Sequence, residues 1–517
     1  MKEWIKSHGL LIPFLFIVLF GFGYQAIPLF SCFYLPLVLI YTRDKPWQNI
    51  LLIYFVSSMG FALAFLGNFR TATTPPFPMA WFMFLASFVI NLVLIVVLFA
   101  ERFMRKHNTG MTTRVLFTPL LYTALWFLIG RLGPLGDYPS LTTVTIGWSE
   151  FAQLSSLGGR AFLDFLLALS ATVALELPTF PLHQLVVSTP HFLQDTHHPD
   201  DDLVVEHKER SFWLHPVTLY TILMAVLLSY GGMATNIRRG SFYQTIYPDY
   251  IPKTEPVGCV VGPGDNLGLQ LSHDIWFNQS QALVASGAKL ILWSELTTIV
   301  QEEEAFLNKS KAFAREHGVY LAVTYGLGQP VRENKLVVMT KEGEIGINYN
   351  KAHPVPGIEL QPAGPNVLQF MDTPEFGRLG GAICFDFNFA HLIGQASDHG
   401  IDIMLQPSWT WGPIGTYHGQ GNALRPLENG FTLFRCVSQG VSGIFEPTAN
   451  SVFQQKVASN NVESYLFYLP LVKRVRTLYA SIGDLFSYLC ILTSGVWMAL
   501  IVWWHVRHAT EEEQIRI

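Results

Sequence analysis

Of the 517 residues, half are hydrophobic and only 14% are charged, against about 25% charged in an ordinary soluble domain, so a large share of the chain belongs in lipid. The net charge of −5 shows no basic excess and excludes a nucleic-acid binder, which needs cations to neutralise phosphates. Five cysteines, Cys32, Cys259, Cys384, Cys436 and Cys490, follow no CxxC or regular spacing. Neither a disulfide framework nor a zinc site is legible, and no cofactor is implied.

Residues 1–24 begin with Lys2 and Lys6 and turn apolar without the small-residue cleavage site of a signal peptide, which reads as a retained first membrane helix. Apolar stretches recur at 26–41, 49–67, 79–100, 115–130, 161–178 and 215–232 and, after a long mixed segment, at 484–505. This pattern predicts a polytopic α-helical membrane protein of about eight transmembrane helices. It divides into a membrane domain over 1–232, an extramembrane domain over 233–483, and a last helix with its tail over 484–517. With the N-terminus inside, twelve Lys and Arg fall in inner loops and three, Arg70, Arg131 and Arg160, in outer ones. Positive residues stay on the cytoplasmic side, so 233–483 is expected outside the cytoplasm. The stretch 195–210, with His197, His198 and the run Asp200–Asp202, is crowded with charge and reads as a solvated cytoplasmic loop rather than a metal site.

Within 233–483, short β-like runs at 288–293, 319–325, 335–340, 377–385 and 401–406 alternate with helix-like stretches at 299–316 and 388–399. That alternation predicts one α/β domain. Three chemistry-bearing residues stand where apolar runs end. Glu295 follows Leu290–Trp293; Lys351 follows the strand-like run 347–350 and precedes the turn formers Pro354, Pro356 and Gly357; Cys384 closes the run 378–384. A lone cysteine at the end of an apolar strand is usually a buried core thiol, and either charge alone is an ordinary loop residue. Together, at strand exits where open α/β sheets build their sites, they supply the parts of acyl transfer. A thiolate attacks an acyl carbon, a carboxylate takes and returns the proton, and a cation stabilises the oxyanion. On this reading Glu295→Gln would lower thiol reactivity, while Cys259 and Cys436, which lack charged partners at strand exits, would tolerate serine.

The order and surroundings of "WSE" (293–295), "NYNK" (348–351) and "ICFD" (383–386) resemble the Glu-Lys-Cys triad of the nitrilase (carbon-nitrogen hydrolase) superfamily. The seven helices before this domain and one after it resemble the apolipoprotein N-acyltransferase branch, as do "TIGWSEFAQLSSLGG" (145–159), "ALRPLENGFTLFRCVSQGVSG" (423–443) and "TLYASIGD" (477–484). The resemblance implies an extracytoplasmic nitrilase-like αββα sandwich with Glu295 as general base and acid, Lys351 as oxyanion stabiliser and Cys384 as nucleophile. Glu359, after Val355-Pro356, would position Lys351; the branch usually reads Phe-Gly-Glu where this chain has Gly357, Ile358 and Glu359. It also usually has Glu two residues after the cysteine, where this chain has Asp386. Trp409 and Trp411 resemble the Trp-containing loop by the site, and with His353 and Asp386 they are expected to bind substrate.

The function so implied is transfer of an acyl chain from a phospholipid, through a thioester on Cys384, to the α-amino group of the lipid-modified N-terminal cysteine of a lipoprotein. It would act in the cytoplasmic (inner) membrane, among membrane lipids, without metal or cofactor. Two other classes compete. A membrane-tethered amidase would hydrolyse a small amide, but one anchoring helix would suffice for it. A transporter or receptor would use the outer domain only to bind ligand, which makes the triad a coincidence and leaves the scarcity of ionisable residues in the apolar stretches unexplained.

Overall fold

The computed structural model describes residues 8–23, 26–66, 77–181, 212–243, 253–328, 331–449 and 455–515; Lys2, Lys6, Arg70 and the stretch with His197 and His198 lie outside them. Every predicted apolar stretch is helical: α1 (Leu11–Gly21), α2 (Pro28–Thr42), α3 (Gln48–Leu66), α4 (Phe77–Ile90), α5 (Leu92–His107), α6 (Thr118–Leu132), α7 (Ser155–Ala174) and α8 (Pro216–Tyr243), with one further long helix near the end of the chain at Leu485–Ile515. Among the described residues, six spans are long and apolar enough to cross a membrane: Gln48–Phe65, Phe84–His107, Thr113–Leu132, Ser155–Ala174, Pro216–Thr235 and Leu485–Arg507. The helices α1 and α2, of 11 and 15 residues, are shorter than the roughly 20 that a bilayer requires.

The 79–100 run is a single stretch in sequence but breaks at Asn91, whose side chain donates to the Ser87 carbonyl at 2.9 Å and so competes with the backbone ladder. The 161–178 stretch begins earlier than its hydropathy predicts. Gly158 and Gly159 kink α7, and the left-handed Gly159 (φ 68°) lets the chain pass the Tyr479 ring, which a Cβ there would meet at 2.6 Å.

The α/β domain carries thirteen strands: β1 (Thr254–Val261), β2 (Leu290–Trp293), β3 (Thr298–Val300), β4 (Tyr320–Leu327), β5 (Glu333–Met339), β6 (Ile345–Asn350), β7 (Gln369–Thr373), β8 (Gly377–Gly381), β9 (Ile403–Trp409), β10 (Thr432–Ser438), β11 (Gly440–Phe445), β12 (Lys456–Ser459) and β13 (Glu463–Pro470). They form two sheets, ordered β13-β1-β2-β4-β5-β6, with β3 beside β4, and β12-β11-β10-β9-β8-β7. Period-2 alternation sends Val257, Leu290, Leu336 and Ile347 of the first sheet against Leu379, Leu405 and Leu433 of the second. The opposite side chains, Val260, Ile291, Trp293 and Val337, pack under α9 (Asp274–Ala285) and α10 (Glu303–His317) through Trp276, Phe277 and Phe306. On the far side of the second sheet lie α11 (Ala390–Asp398), α12 (Pro413–Asn422) and α13 (Leu424–Asn429). This is the expected αββα layering. The predicted helical run 299–316 starts instead as β3 and turns helical at Glu303, and the predicted strand 377–385 ends at Gly381.

One reading is corrected. Cys259 and Cys436, separated by 177 residues, form a disulfide that joins β1 to β10 across the sandwich core, where both are fully buried. Sequence spacing concealed it because the two strands meet only through the tertiary fold.

The helical frame and the α/β domain are locked together by charge. Arg425, on α13, pairs with Asp137 in the loop after α6 and with Glu428 at 2.6 Å, and donates to the Phe387 carbonyl at 2.8 Å. Arg160, in the first turns of α7, donates to the carbonyls of Asp137 and Gly421 at 3.0 and 2.8 Å, and its backbone N–H reaches Glu428 at 2.9 Å. Buried charges paired in this way fix geometry, since removing one partner strands the other.

Candidate active site

Glu295 leaves the first sheet just after β2 and is buried, and both of its oxygens are used. Oε1 accepts Lys351 Nζ at 2.6 Å and Asn334 Nδ2 at 2.8 Å, and Oε2 accepts the backbone N–H of Trp409 at 2.8 Å. Lys351 follows β6, is fully buried, and also reaches Glu359 Oε1 at 2.7 Å. Glu359 is held in turn by the Val355 N–H at 2.8 Å and Gln361 Nε2 at 3.2 Å. Its place in the turn depends on Gly357, which is left-handed at φ 75°.

Cys384 lies beyond β8 in the second sheet, at the start of a tight turn, with φ 47°. A non-glycine residue there is strained, and such strain collects at functional sites. Gln406 holds its carbonyl at 3.3 Å, and the thiol donates to the Trp409 carbonyl at 3.6 Å. Burial raises the thiol pKa well above its ordinary value and the Glu295 carboxylate adds to this, with Lys351 and Arg435 opposing. Burial alone would lower Lys351, but Glu295 and Glu359 hold it well above its usual range, and burial raises Glu359 against the pull of Lys351. The resting site therefore holds an ammonium between two carboxyl groups beside a protonated thiol.

The four expected catalytic residues thus converge, and of the four expected substrate-binding residues two line the cleft. Trp409 and Trp411 do so. Asp386 is fully buried and accepts from Tyr349 Oη (2.8 Å), the His353 N–H (2.7 Å) and the Ile383 N–H (3.0 Å). A carboxylate with three donors is committed to holding the cysteine turn against the Lys351 loop. His353 stacks on Phe389 with ring centroids 3.6 Å apart and faces Asp386 at 3.3 Å, away from the cleft.

Sequence reasoning missed Asn334, which nothing in its strand distinguishes, and Arg435. The latter is fully buried in β10, spends Nε on the Val441 carbonyl at 3.1 Å, and has both terminal nitrogens unpartnered; burial lowers its pKa to about 10. A single charge inside the apolar run 431–437 was the signal.

The cleft over Cys384 is almost wholly apolar. Phe61 and Phe65 of α3, Ile90 of α4 and Trp126 of α6 form its wall on the side of the helical frame, and Ile358, Phe385 and Trp411 its wall on the side of the α/β domain. Among the described residues no cluster of three or more metal-ligating side chains is present.

The fold and this triad define a nitrilase-like α/β domain, and residues 272–457 match the carbon-nitrogen hydrolase family model. The chain is also similar to the apolipoprotein N-acyltransferase of Thermosynechococcus vestitus, at 23% identity over 239 residues, 42% of this chain and 46% of that protein. The resemblance to a nitrilase-superfamily N-acyltransferase, read from the triad together with the order of apolar helices around it, is therefore supported; the chain spans about half the length of the curated relative it matches. Similar solved structures include the C. elegans NitFhit protein, at 20% identity, TM-score 0.36, 43% of this chain and 61% of that one. Others are a mutant amidase from Nesterenkonia sp. AN1 in complex with butyramide, at 18% identity, TM-score 0.37, 44% and 93%, and Saccharomyces cerevisiae Nit3, at 17% identity, TM-score 0.36, 45% and 94%.

Proposed function

We propose that the protein is a membrane N-acyltransferase working in two half-reactions. In the first, Glu295 takes the Cys384 proton as sulfur attacks the ester carbonyl of a phospholipid. Lys351 stabilises the oxyanion, the ester C–O bond breaks, and the proton passes to the lysophospholipid hydroxyl. In the second, the free α-amino group of a lipid-modified N-terminal cysteine attacks the thioester. The C–N bond forms, the C–S bond breaks, and Cys384 regains a proton. Glu359 and Asn334 position the acid-base pair, and Trp409 and Trp411 border the acyl chain.

The observation that carries this reading is the apolar cleft running from Cys384 to the helices α3, α4 and α6. A small soluble amide has no use for it, whereas an acyl chain entering from the bilayer fills it by hydrophobic burial. The Lys and Arg bias argues for an extracytoplasmic α/β domain, and a core disulfide suits the oxidising side of a membrane. The proposed organisation keeps 1–232 as membrane domain, 233–483 as catalytic domain and 484–517 as last helix and tail, in the inner membrane.

The test is intact-mass analysis after incubation with phospholipid. An acyl-sized increase, removed by hydroxylamine and absent in Cys384→Ser, is expected; full activity in Cys384→Ser would end the reading.

A further inference from the structure

Strand β10 carries a single charge, Arg435, and every residue of the strand is buried. Arg425, buried as deeply, is neutralised by Asp137 and Glu428. Arg435 has no carboxylate beside it: Nε donates to the Val441 carbonyl on β11, and Nη1 and Nη2 are buried without a hydrogen-bond partner. A buried charge left unpaired is strongly destabilising, and a fold that breaks a local rule in this way does so where function needs it.

The sheet register points to that need. Arg435 lies opposite Gln406 of β9, and Gln406 Nε2 donates to the Cys384 carbonyl at 3.3 Å, just beyond β8. Cys384, Gln406 and Arg435 thus form a row across three adjacent strands, with the arginine two strand spacings, roughly 10 Å, from the nucleophile along the backbone. Gln406 Oε1 is unpartnered too, so an acceptor and a donor pair stand unmet in the same row, and a water between them would serve both. The other charged or titratable groups around the thiol are already engaged. Lys351 Nζ is shared by Glu295 and Glu359, Asp386 accepts from three donors, and burial holds His418 on α12 well below the ordinary histidine value and so neutral. Arg435 is the cation without an anion of its own, and Cys384 acts on it more strongly than Glu295 does.

We propose that Arg435 is the counter-charge of the Cys384 thiolate, a positioning residue that favours transfer of the thiol proton to Glu295 without touching substrate. This deepens the acyl-transfer reading and rests on it for the use made of the thiolate. The step moves one proton from sulfur to a carboxylate oxygen, so a negative charge leaves the end of the first sheet and appears at the end of the second. Lys351, bonded to Glu295, stabilises the charge where it starts. Arg435, in the same sheet as the sulfur, stabilises it where it arrives, and only a difference of this kind between the two states speeds the step. An arginine suits the place because a guanidinium keeps its proton under burial that would strip a lysine of its own.

The experiment follows iodoacetamide alkylation of Cys384 by peptide mass on the full-length protein, from about pH 6 to about pH 9, across the ordinary thiol value. Acyl transfer from phospholipid is measured on the same preparations. Arg435→Gln removes the charge, and alkylation should fall about tenfold at each pH, the scale of a unit charge acting over such a distance inside a protein, with acyl transfer falling alongside. Arg435→Lys keeps the charge but loses the Nε bond to Val441. It should alkylate at the unaltered rate near the acid end and fall behind as pH rises, because burial draws the introduced ammonium below the ordinary lysine value. If the arginine served only to tie β10 to β11, both variants would lose the tie and alkylate alike. Equal rates in Arg435→Gln and the unaltered protein, or equal losses in Arg435→Gln and Arg435→Lys at the acid end, overturn the proposal. Should Arg435→Gln fail to fold, the profile of Arg435→Lys decides, since a constant ratio to the unaltered protein at every pH also overturns it. Slowed alkylation in Arg435→Gln with no acyl transfer from any phospholipid by the unaltered protein would sink the acyl-transfer reading and leave the counter-charge standing. Undiminished alkylation in Arg435→Gln, with acyl transfer intact, would sink the counter-charge alone.

Discussion

The backbone N–H of Trp409 donates to Glu295 Oε2 at 2.8 Å, so the end of β9 in one sheet clamps the carboxylate that leaves β2 in the other. The same Trp409, through its carbonyl, receives the Cys384 thiol at 3.6 Å. The thiol proton thus rests on a neutral carbonyl, and the Glu295 charge acts on it through space by raising its pKa. This reverses the expectation that Glu295→Gln slows thiol alkylation. Removing the negative charge should speed alkylation at neutral pH while acyl transfer falls by on the order of a hundredfold or more, as general acid-base loss does. Alkylation and transfer rates measured on the same preparation check it; a transfer rate equal to that of the unaltered protein would refute the triad.

Lys351→Met is expected to cost stability as well as rate. Losing the oxyanion stabiliser should slow transfer by about a hundred- to a thousandfold. It also leaves Glu295 and Glu359 facing one another in a buried site, a change costing about 3–5 kcal/mol if both stay charged. The carboxyl pair then gains protons on folding, so its folded-state pKa lies above the unfolded value and low pH relieves the defect. The Tm deficit of Lys351→Met should be smallest at about pH 3.5, below the ordinary glutamate value of about 4.3, and grow as pH rises toward 8. A deficit independent of pH would show that the ammonium does not neutralise this pair.

The convergence of Glu295, Lys351 and Cys384 was legible because each follows an apolar strand, and strand ends can be read from hydropathy. The roles of Asp386 and His353 were not, since a residue two positions from a nucleophile looks the same in sequence whether it faces substrate or the protein interior. Here the Tyr349 hydroxyl and two backbone N–H groups decide it. Helix positions came through hydropathy, but the break at Asn91 and the early start of α7 depend on one side-chain hydrogen bond and one glycine pair. The Cys259–Cys436 link arises from a contact between segments far apart in the chain, which local pattern does not encode.

Gly136 joins the helical frame to the catalytic turn. It is left-handed at φ 57°, and a Cβ there would lie 2.3 Å from the Asn388 carbonyl oxygen, next to the Asp137 N–H bond to that same oxygen at 2.9 Å. Gly136→Ala should therefore destabilise by more than the ~1–2 kcal/mol of a left-handed alanine and slow transfer by shifting Leu135 and Tyr138, which line the cleft over Cys384. Gly318, left-handed at φ 62° with nothing within 4 Å of its virtual Cβ, is the control. Gly318→Ala should cost only that conformational term and leave transfer unchanged. Equal Tm losses in the two variants would show that the contact with Asn388 is slack.

The Cys259–Cys436 disulfide ties β1 to β10 through the middle of the sandwich, and so bears on both stability and topology. Closing a loop of this length restricts the unfolded chain, and loss of a native disulfide typically costs about 2–5 kcal/mol. Cys259→Ser and Cys436→Ser should each lower the Tm, contrary to the tolerance expected from sequence, and the double variant should lose little more than either single one. Mass counting of thiols alkylated in denaturant without reductant should find three, from Cys32, Cys384 and Cys490. If the α/β domain is kept in a reducing cytoplasm, all five should label, because the bond forms only in an oxidising compartment. Protein from the native membrane that labels at five would contradict both the bond and the proposed extracytoplasmic orientation. Labelling at three, together with an external response from a reporter fused after about residue 240, is the result that the Lys and Arg bias requires.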